Sequence, residues 1–224
     1  MTEAPKPAGV RTTVRTTRMR LSKVASAKDT IHGFDHDTAI AGLTHGQFSL
    51  LDLMQAILDY TGPADLDVAT FSVGLSDIDT AKRLHDEGRF RNPRVILDSG
   101  TAKRGSASHV DIADVWGPDA VRITKNHAKV SLIGNDDWKV VLTSSMNFNF
   151  NPRIEQFDLA HDPPRYDYFR AWIDAVFAEL PPADPSQLNE NWLAQTRDLP
   201  EVTPRLGYAV TRNIQMGPPA RANN

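Results

Sequence analysis

The chain has 224 residues, a net charge of −3 and no cysteine. This length suffices for one medium-sized domain with a hydrophobic core, and the missing cysteines exclude disulfides and thiolate metal sites. No apolar stretch approaches the roughly 20 residues needed to cross a bilayer, so we expect a soluble, cytoplasmic protein.

The charge is unevenly distributed, because residues 1–28 hold seven Lys and Arg residues and only one acidic residue, Glu3. Residues 10–21 also alternate between apolar and polar types with the period of a strand. A basic arm on an otherwise acidic body is suited to contact nucleic acid. The alternatives are a solvated tail or an edge strand. The arginines that we expect to make the contact are Arg11, Arg15, Arg18 and Arg20.

The first predicted helix begins at a capping box, in which Ser49 precedes Asp52 by three residues. Apolar runs then predict a strand over residues 66–73, a helix over 77–87 and a strand over 94–97. The following loop is rich in turn-forming residues. It holds two basic residues that could reach a phosphate backbone, with a solvated loop as the alternative: Lys103 and Arg104.

The second half of the chain is predicted to contain one helix, four strands and a final helix. The first of these helices covers residues 108–115, and the strands cover 120–124, 128–133, 139–143 and 154–160. A stripe of apolar and aromatic residues between 168 and 180 has helical spacing and predicts a helix packed on the core. The order of elements predicts an α/β fold, with a mixed β-sheet flanked by helices on both faces.

Two short polar motifs lie at the ends of neighbouring predicted strands. The first is His127-Ala-Lys129, and the second is the run Thr143-Ser-Ser145-Met-Asn147. Side chains two residues apart on an extended segment point to the same face, so the imidazole and the ammonium can converge on one phosphate. Lys129, Ser145 and Asn147 are donors suited to the non-bridging oxygens of a phosphodiester.

Over about residues 121–158 these motifs resemble the phospholipase D superfamily signature, His-x-Lys-x4-Asp followed by Gly-Ser-x-Asn. The sequence departs from the signature at Gly134, where the family has Asp, and at Ser144, where it has Gly. Asp136 or Asp137 could replace the missing Asp, or its role could be absent. The tyrosyl-DNA phosphodiesterase branch also resembles the core pattern without that Asp.

The resemblance implies a phospholipase D-like catalytic domain, which we place at residues 29–182, after a basic arm over 1–28. A C-terminal extension over residues 183–224 is predicted to hold a short helix near 189–197.

In the family, one histidine attacks phosphorus and forms a phosphohistidine, while a second protonates the leaving oxygen. Glu155 follows where family members often carry Glu, which implies that it accepts the His127 Nδ1–H. The chain has a single His-x-Lys motif, so a two-fold homodimer would bring two copies of His127 to one phosphate. The resemblance thus implies a phosphodiesterase that needs neither metal nor cofactor, and we expect a DNA endonuclease.

Two other functions stay open. One is a phospholipase D-like protein that binds DNA with little or no hydrolysis, as Gly134 and Ser144 would permit. The other is phospholipid hydrolysis, although the basic arm favours DNA as the partner. His32, Asp35 and His36 are metal-ligand residue types, but their spacing matches no known zinc motif, so we expect a loop or a substrate rim there.

Overall fold

The computed structural model describes residues 16–21, 26–99, 108–149 and 152–183. Its strands are β1 (Thr16–Leu21), β2 (Thr38–Thr44), β3 (Ala64–Thr70), β4 (Phe90–Asp98), β5 (Val121–Thr124), β6 (Val130–Gly134), β7 (Lys139–Ser144) and β8 (Glu155–His161). Its helices are α1 (Ala27–Thr30), α2 (Leu50–Thr61), α3 (Leu75–Asp86), α4 (Ser108–Trp116) and α5 (Pro163–Glu179), with a 3-10 turn at Pro118–Ala120.

All eight of these strands form one mixed sheet in the order β1-β2-β8-β7-β6-β3-β4-β5. The pairs β1–β2, β3–β4 and β4–β5 are parallel, and the four central pairs are antiparallel. The carboxyl ends of β3, β4, β5 and β7 therefore lie at the same edge of the sheet as the amino ends of β6 and β8. We call this the motif edge, and we call the opposite edge, which carries Gly134, the far edge.

Helices cover both faces of the sheet, as the sequence predicts. On one face, α2, α3 and α4 bury their apolar residues against alternate positions of the central strands, among them Leu66 and Leu142. On the other face, α5 places Ile173 and Val176 against Leu132 and the remaining alternate positions. Because successive strand residues point to opposite faces, a strand buried on both sides reads as a continuous apolar run.

The predicted capping box is present at the start of α2. The Ser49 hydroxyl accepts the Asp52 N–H at 3.1 Å, and the Asp52 carboxylate accepts the Ser49 N–H at 2.8 Å. Gly62 ends the helix with a φ of 69°, a conformation that costs glycine little because it has no Cβ. This end turns the chain directly into β3, which leads to the motif edge.

β1 pairs in parallel with β2, so the sheet begins inside the segment predicted as an arm. For residues 16–21 the structure is therefore an edge strand. Arg18 is half-buried, and its guanidinium donates a hydrogen bond to Gly33 O at 3.1 Å. Arg20 lies in β1, whereas Arg11 and Arg15 lie outside the described residues, so their contact with nucleic acid stays a prediction.

At the other end of the domain, Ala183 is buried and its N–H donates to Val121 O at 3.0 Å. Residues 184–224, including the helix predicted near 189–197, lie outside the described residues. None of the helices in the described ranges is long and apolar enough to cross a membrane.

Candidate active site

The five predicted catalytic residues lie at or next to strand ends on the motif edge. His127 lies in the loop between β5 and β6, and Lys129 directly precedes β6. Ser145 and Asn147 follow β7, and Glu155 is the first residue of β8. Since β6, β7 and β8 are neighbours in the sheet, the fold brings both halves of the motif to one place.

Backbone hydrogen bonds join these strand ends. The Ser144 N–H donates to Lys129 O at 3.3 Å, and the Ser145 N–H donates to Gln156 O at 3.0 Å. The register of β6 and β7 adds the pair Val130 and Thr143 next to them. The segments that carry the two motifs are therefore held against each other by the sheet.

His127 is exposed, and the edge of its ring meets the ring of Phe71 with the centroids 5.2 Å apart. The Lys129 ammonium donates to His127 O at 3.3 Å, so it lies beside the loop that carries the imidazole. An exposed imidazole with an adjacent ammonium is suited to an anionic ligand that approaches from solvent.

The second half of the site is organised by Glu155. Its carboxylate accepts a hydrogen bond from the Ser145 hydroxyl, and that hydroxyl also accepts the Gln156 N–H at 3.0 Å. The carboxylate thus orients the hydroxyl across the ends of β7 and β8. The contact predicted between Glu155 and His127 Nδ1 stays a prediction.

The side-chain oxygen of Asn147 is buried and has no hydrogen-bond partner among the described residues. A buried polar atom left in this state costs about 1–3 kcal/mol, so such atoms call for an explanation. Because an amide oxygen only accepts, the partner that it lacks is a donor, whereas a phosphate oxygen would bind the Asn147 Nδ2 instead.

The structure adds a residue that the motif analysis missed. Asn126 directly precedes His127 and is 5% exposed. Its side-chain Nδ2 donates to Thr70 O, and its Oδ1 accepts the Ala128 N–H. Its N–H donates to the Asp98 carboxylate at 2.9 Å. The only sequence signal for this role is a turn-forming residue beside the histidine, which is not specific.

The departure at Gly134 has a steric cause. Gly134 lies at the far edge, where a Cβ would collide with the Tyr166 hydroxyl and lie 2.7 Å from the ring carbon Cζ. An Asp at this position has no room beside that ring. Asp136 and Asp137 are exposed in the turn that follows. The sequence therefore departs from the family signature at Gly134 on the edge of the sheet opposite to His127 and Lys129.

The departure at Ser144 lies within the site and shapes the turn after β7. The Ser144 hydroxyl accepts the Met146 N–H at 3.1 Å and donates to Met146 O at 3.3 Å. This local bonding is typical of serine in turns. It restrains the backbone between Ser145 and Asn147.

Asp35 and His36, which are metal-ligand residue types, contact other side chains of the protein. His36 stacks on Trp138 with the ring centroids 3.8 Å apart and lies 4.6 Å from the ring of His161. A hydrogen bond from the Thr38 side chain lowers the pKa of the Asp35 carboxyl. Among the described residues no group of three or more His, Asp or Glu could hold a metal ion. Lys103 and Arg104 lie outside those residues.

Comparison with solved structures finds a phospholipase D family member among the similar folds. Nuc from Salmonella typhimurium, a phospholipase D family member, is 14% identical with a TM-score of 0.45, covering 65% of this chain and 97% of its own. NucT from Helicobacter pylori is 16% identical with a TM-score of 0.45, covering 65% and 99%. Polyphosphate kinase from Porphyromonas gingivalis is 16% identical with a TM-score of 0.44, covering 64% and 27%.

No model of a known protein family matches the chain, and no curated protein matches it.

Proposed function

We propose that the chain is a homodimeric phosphodiesterase of the phospholipase D type that hydrolyses nucleic acid, with DNA as the favoured substrate. The observation that carries the proposal is the meeting of His127, Lys129, Ser145 and Asn147 on adjacent strand ends at one edge of the sheet. An exposed imidazole, an ammonium, a hydroxyl and an amide form a set that can bind a phosphodiester and attack it.

The reaction has two displacement steps. In the first, Nε2 of His127 attacks phosphorus, the bond to the leaving oxygen breaks, and the partner subunit's His127 gives that oxygen a proton. In the second, water loses a proton to the partner subunit's His127 and attacks phosphorus, and the bond from nitrogen to phosphorus breaks. Both imidazoles return to their starting states, so protons balance.

The remaining residues stabilise the charge that builds on the non-bridging oxygens. Lys129 contributes a full positive charge, and the Asn147 amide contributes a dipole that the strand ends hold in place. The Ser145 hydroxyl has one proton, which it donates to Glu155, so it has to turn away from that carboxylate to donate to a phosphate oxygen. Since Lys129 and a protonated histidine can neutralise the phosphate, the reaction should proceed in EDTA.

A second copy of the chain supplies the general acid. The sequence has one His-x-Lys motif, and His127 is exposed at the motif edge, so a two-fold partner can approach it. The predicted species is a dimer with one composite site. Light scattering together with specific activity on dilution tests this, because an active monomer would reject the shared site.

A nucleic acid is favoured over a lipid because exposed cations lie on both sides of the site. Lys125 is exposed two residues before His127, and Arg153 is exposed two residues before Glu155. Among the described residues the large apolar side chains that are exposed are Leu43 and Ile154, a small surface for acyl chains. This balance favours a polyanion over a lipid.

The contribution of the basic N-terminus can be tested without removing β1. Arg11→Gln with Arg15→Gln leaves residues 16–21 intact, and each lost phosphate contact should flatten log K against log salt by about 0.9 on duplex DNA. A doubly substituted protein with the wild-type salt slope would show that these arginines do not contact DNA.

The direct test is incubation of the full chain with plasmid, single-stranded DNA and RNA in EDTA, beside His127→Ala. We expect cleavage by the wild type and none by the folded variant. The second candidate function, DNA binding without hydrolysis, predicts retention of DNA by both proteins and no turnover of bis-p-nitrophenyl phosphate by either. A strict requirement for added magnesium would reject the mechanism.

A further inference from the structure

A buried amide next to the proposed nucleophile connects three segments of the motif edge. Asn126 Nδ2 donates to Thr70 O at 3.0 Å and to Ile96 O at 3.4 Å, and its Oδ1 accepts the Ala128 N–H at 3.0 Å. One side chain therefore binds the ends of β3 and β4 and closes the turn that carries His127. Buried hydrogen bonds of this kind are costly to break, because each lost partner leaves an unsatisfied group.

Thr70 extends the connection to the second half of the site. It is 0% exposed, and its hydroxyl accepts the Phe148 N–H at 3.1 Å, a proton that Phe148 shares with Ser72 O at 3.1 Å. Phe148 directly follows Asn147. Thr70, the last residue of β3, is thus a common anchor. Its carbonyl accepts the Asn126 side chain, and its hydroxyl accepts the Phe148 N–H.

Two more contacts restrict the same loop. The Asp98 carboxylate accepts the Asn126 N–H at 2.9 Å. Phe71, next to Thr70, meets the edge of the His127 ring. A rotation of the loop would have to break the bond to Asp98 and the contact with Phe71 together.

We propose that Asn126 and Thr70 are positioning residues, which hold His127 and Asn147 in a fixed relative geometry for attack on phosphorus. The inference rests on the proposed function, because it assigns these two residues to the same reaction. Neither residue touches the substrate. A misplacement of about 1 Å can lower a rate by about 100-fold, so loss of the anchor should change kcat more than KM.

The kinetic test compares Asn126→Ala with Asn135→Ala on bis-p-nitrophenyl phosphate. Asn135 makes the same kind of turn at the far edge, where its Nδ2 donates to Thr61 O at 2.9 Å and its Oδ1 accepts the Asp137 N–H at 3.0 Å. We expect Asn126→Ala to lower kcat by about 100-fold with little change in KM, and Asn135→Ala to keep the wild-type kcat. Equal losses of kcat in both variants would show that the effect comes from a general loss of stability, and would overturn the inference.

Thr70 provides a second pair of variants if Asn126→Ala does not fold. Thr70→Val removes the hydroxyl that binds Phe148 and keeps the shape, whereas Thr70→Ser keeps the hydroxyl. We expect a low kcat for the valine variant and rescue by serine. A valine variant as active as wild type would overturn the role of Thr70.

A structural readout separates this inference from the proposed function. Nuclear Overhauser effects between the rings of Phe71 and His127 report the loop geometry without turnover. We expect them in the wild type, in Asn135→Ala and in Thr70→Val, which keeps the carbonyl that binds Asn126, and we expect their loss in Asn126→Ala. An inactive wild type that shows this pattern would reject the proposed reaction, while the loop would still be held by Asn126. Unchanged effects in Asn126→Ala would overturn the inference.

Discussion

The Ser145 hydroxyl donates a hydrogen bond to the Glu155 carboxylate across the ends of β7 and β8. Both residues belong to the set expected at the site, but the sequence alone joined Glu155 to His127 instead. The bond gives Glu155 a role that does not depend on a second subunit, because it fixes the position of the Ser145 hydroxyl within the same protomer by accepting its one proton.

Ser145→Ala should therefore lower kcat by a modest amount. A hydrogen bond to a charged group contributes about 1.5–3 kcal/mol, which corresponds to roughly 10- to 100-fold in rate. Glu155→Gln keeps an oxygen that can accept the hydroxyl, and it should match wild type more closely than Ser145→Ala if orientation of Ser145 is its main task. If Glu155→Gln is the more damaging change, the carboxylate acts on His127 as the motif predicts. Steady-state kinetics on bis-p-nitrophenyl phosphate measure both.

Lys129→Ala and Asn147→Ala should each cost about 3 kcal/mol of transition-state stabilisation, as loss of one oxyanion donor does. The loss should appear in kcat, because the charge on the oxygens grows during the reaction. Lys82→Ala is a matched control, since Lys82 is exposed and pairs with Asp86 on α3. An effect of Lys129→Ala on KM alone would restrict that residue to substrate binding.

Gly134→Ala should destabilise the fold without altering the chemistry. The added Cβ meets the hydroxyl and ring of Tyr166, and overpacking of this kind costs about 1–3 kcal/mol. Urea unfolding measures the loss, and the double variant with Tyr166→Phe should recover part of it because the hydroxyl is gone. A fall in the kcat of folded Gly134→Ala would show that the far edge influences the site.

Tyr166 should also make stability depend on alkaline pH. Burial raises the pKa of its phenol above the ordinary value near 10, with the charge of Asp67 adding to the effect. The folded state thus holds this proton more tightly than the unfolded state, so the contribution is present below about pH 10 and is lost as pH rises through the folded pKa. The free energy of unfolding should fall over that range, and Tyr166→Phe should lack this part of the decline.

Much of the fold follows from local sequence signals. The capping box at Ser49 predicts the start of α2, and the apolar runs predict the central strands to within a few residues, because burial on both faces leaves no room for polar side chains. The strand predicted over residues 94–97 is longer, since β4 extends from Phe90 to Asp98.

β2 was not predicted. Its centre holds Ala39, Ala41 and Gly42, which have low β propensity, so its strand form depends on pairing with β1 and β8. The candidate site likewise contains residues that the sequence predicts and one that it does not. The motif residues can be identified by spacing, whereas the anchor at Asn126 depends on strand ends that are distant in sequence.

The measurement that tests the central claim most directly is detection of a phosphohistidine on His127. The wild type, mixed with bis-p-nitrophenyl phosphate in EDTA and quenched rapidly at alkaline pH, should carry a p-nitrophenylphosphoryl group on the peptide that contains His127, as read by mass spectrometry. The group should be absent from His127→Ala, which should also lack turnover. Steady turnover with no adduct on this peptide, together with full activity in His127→Ala, would contradict the account.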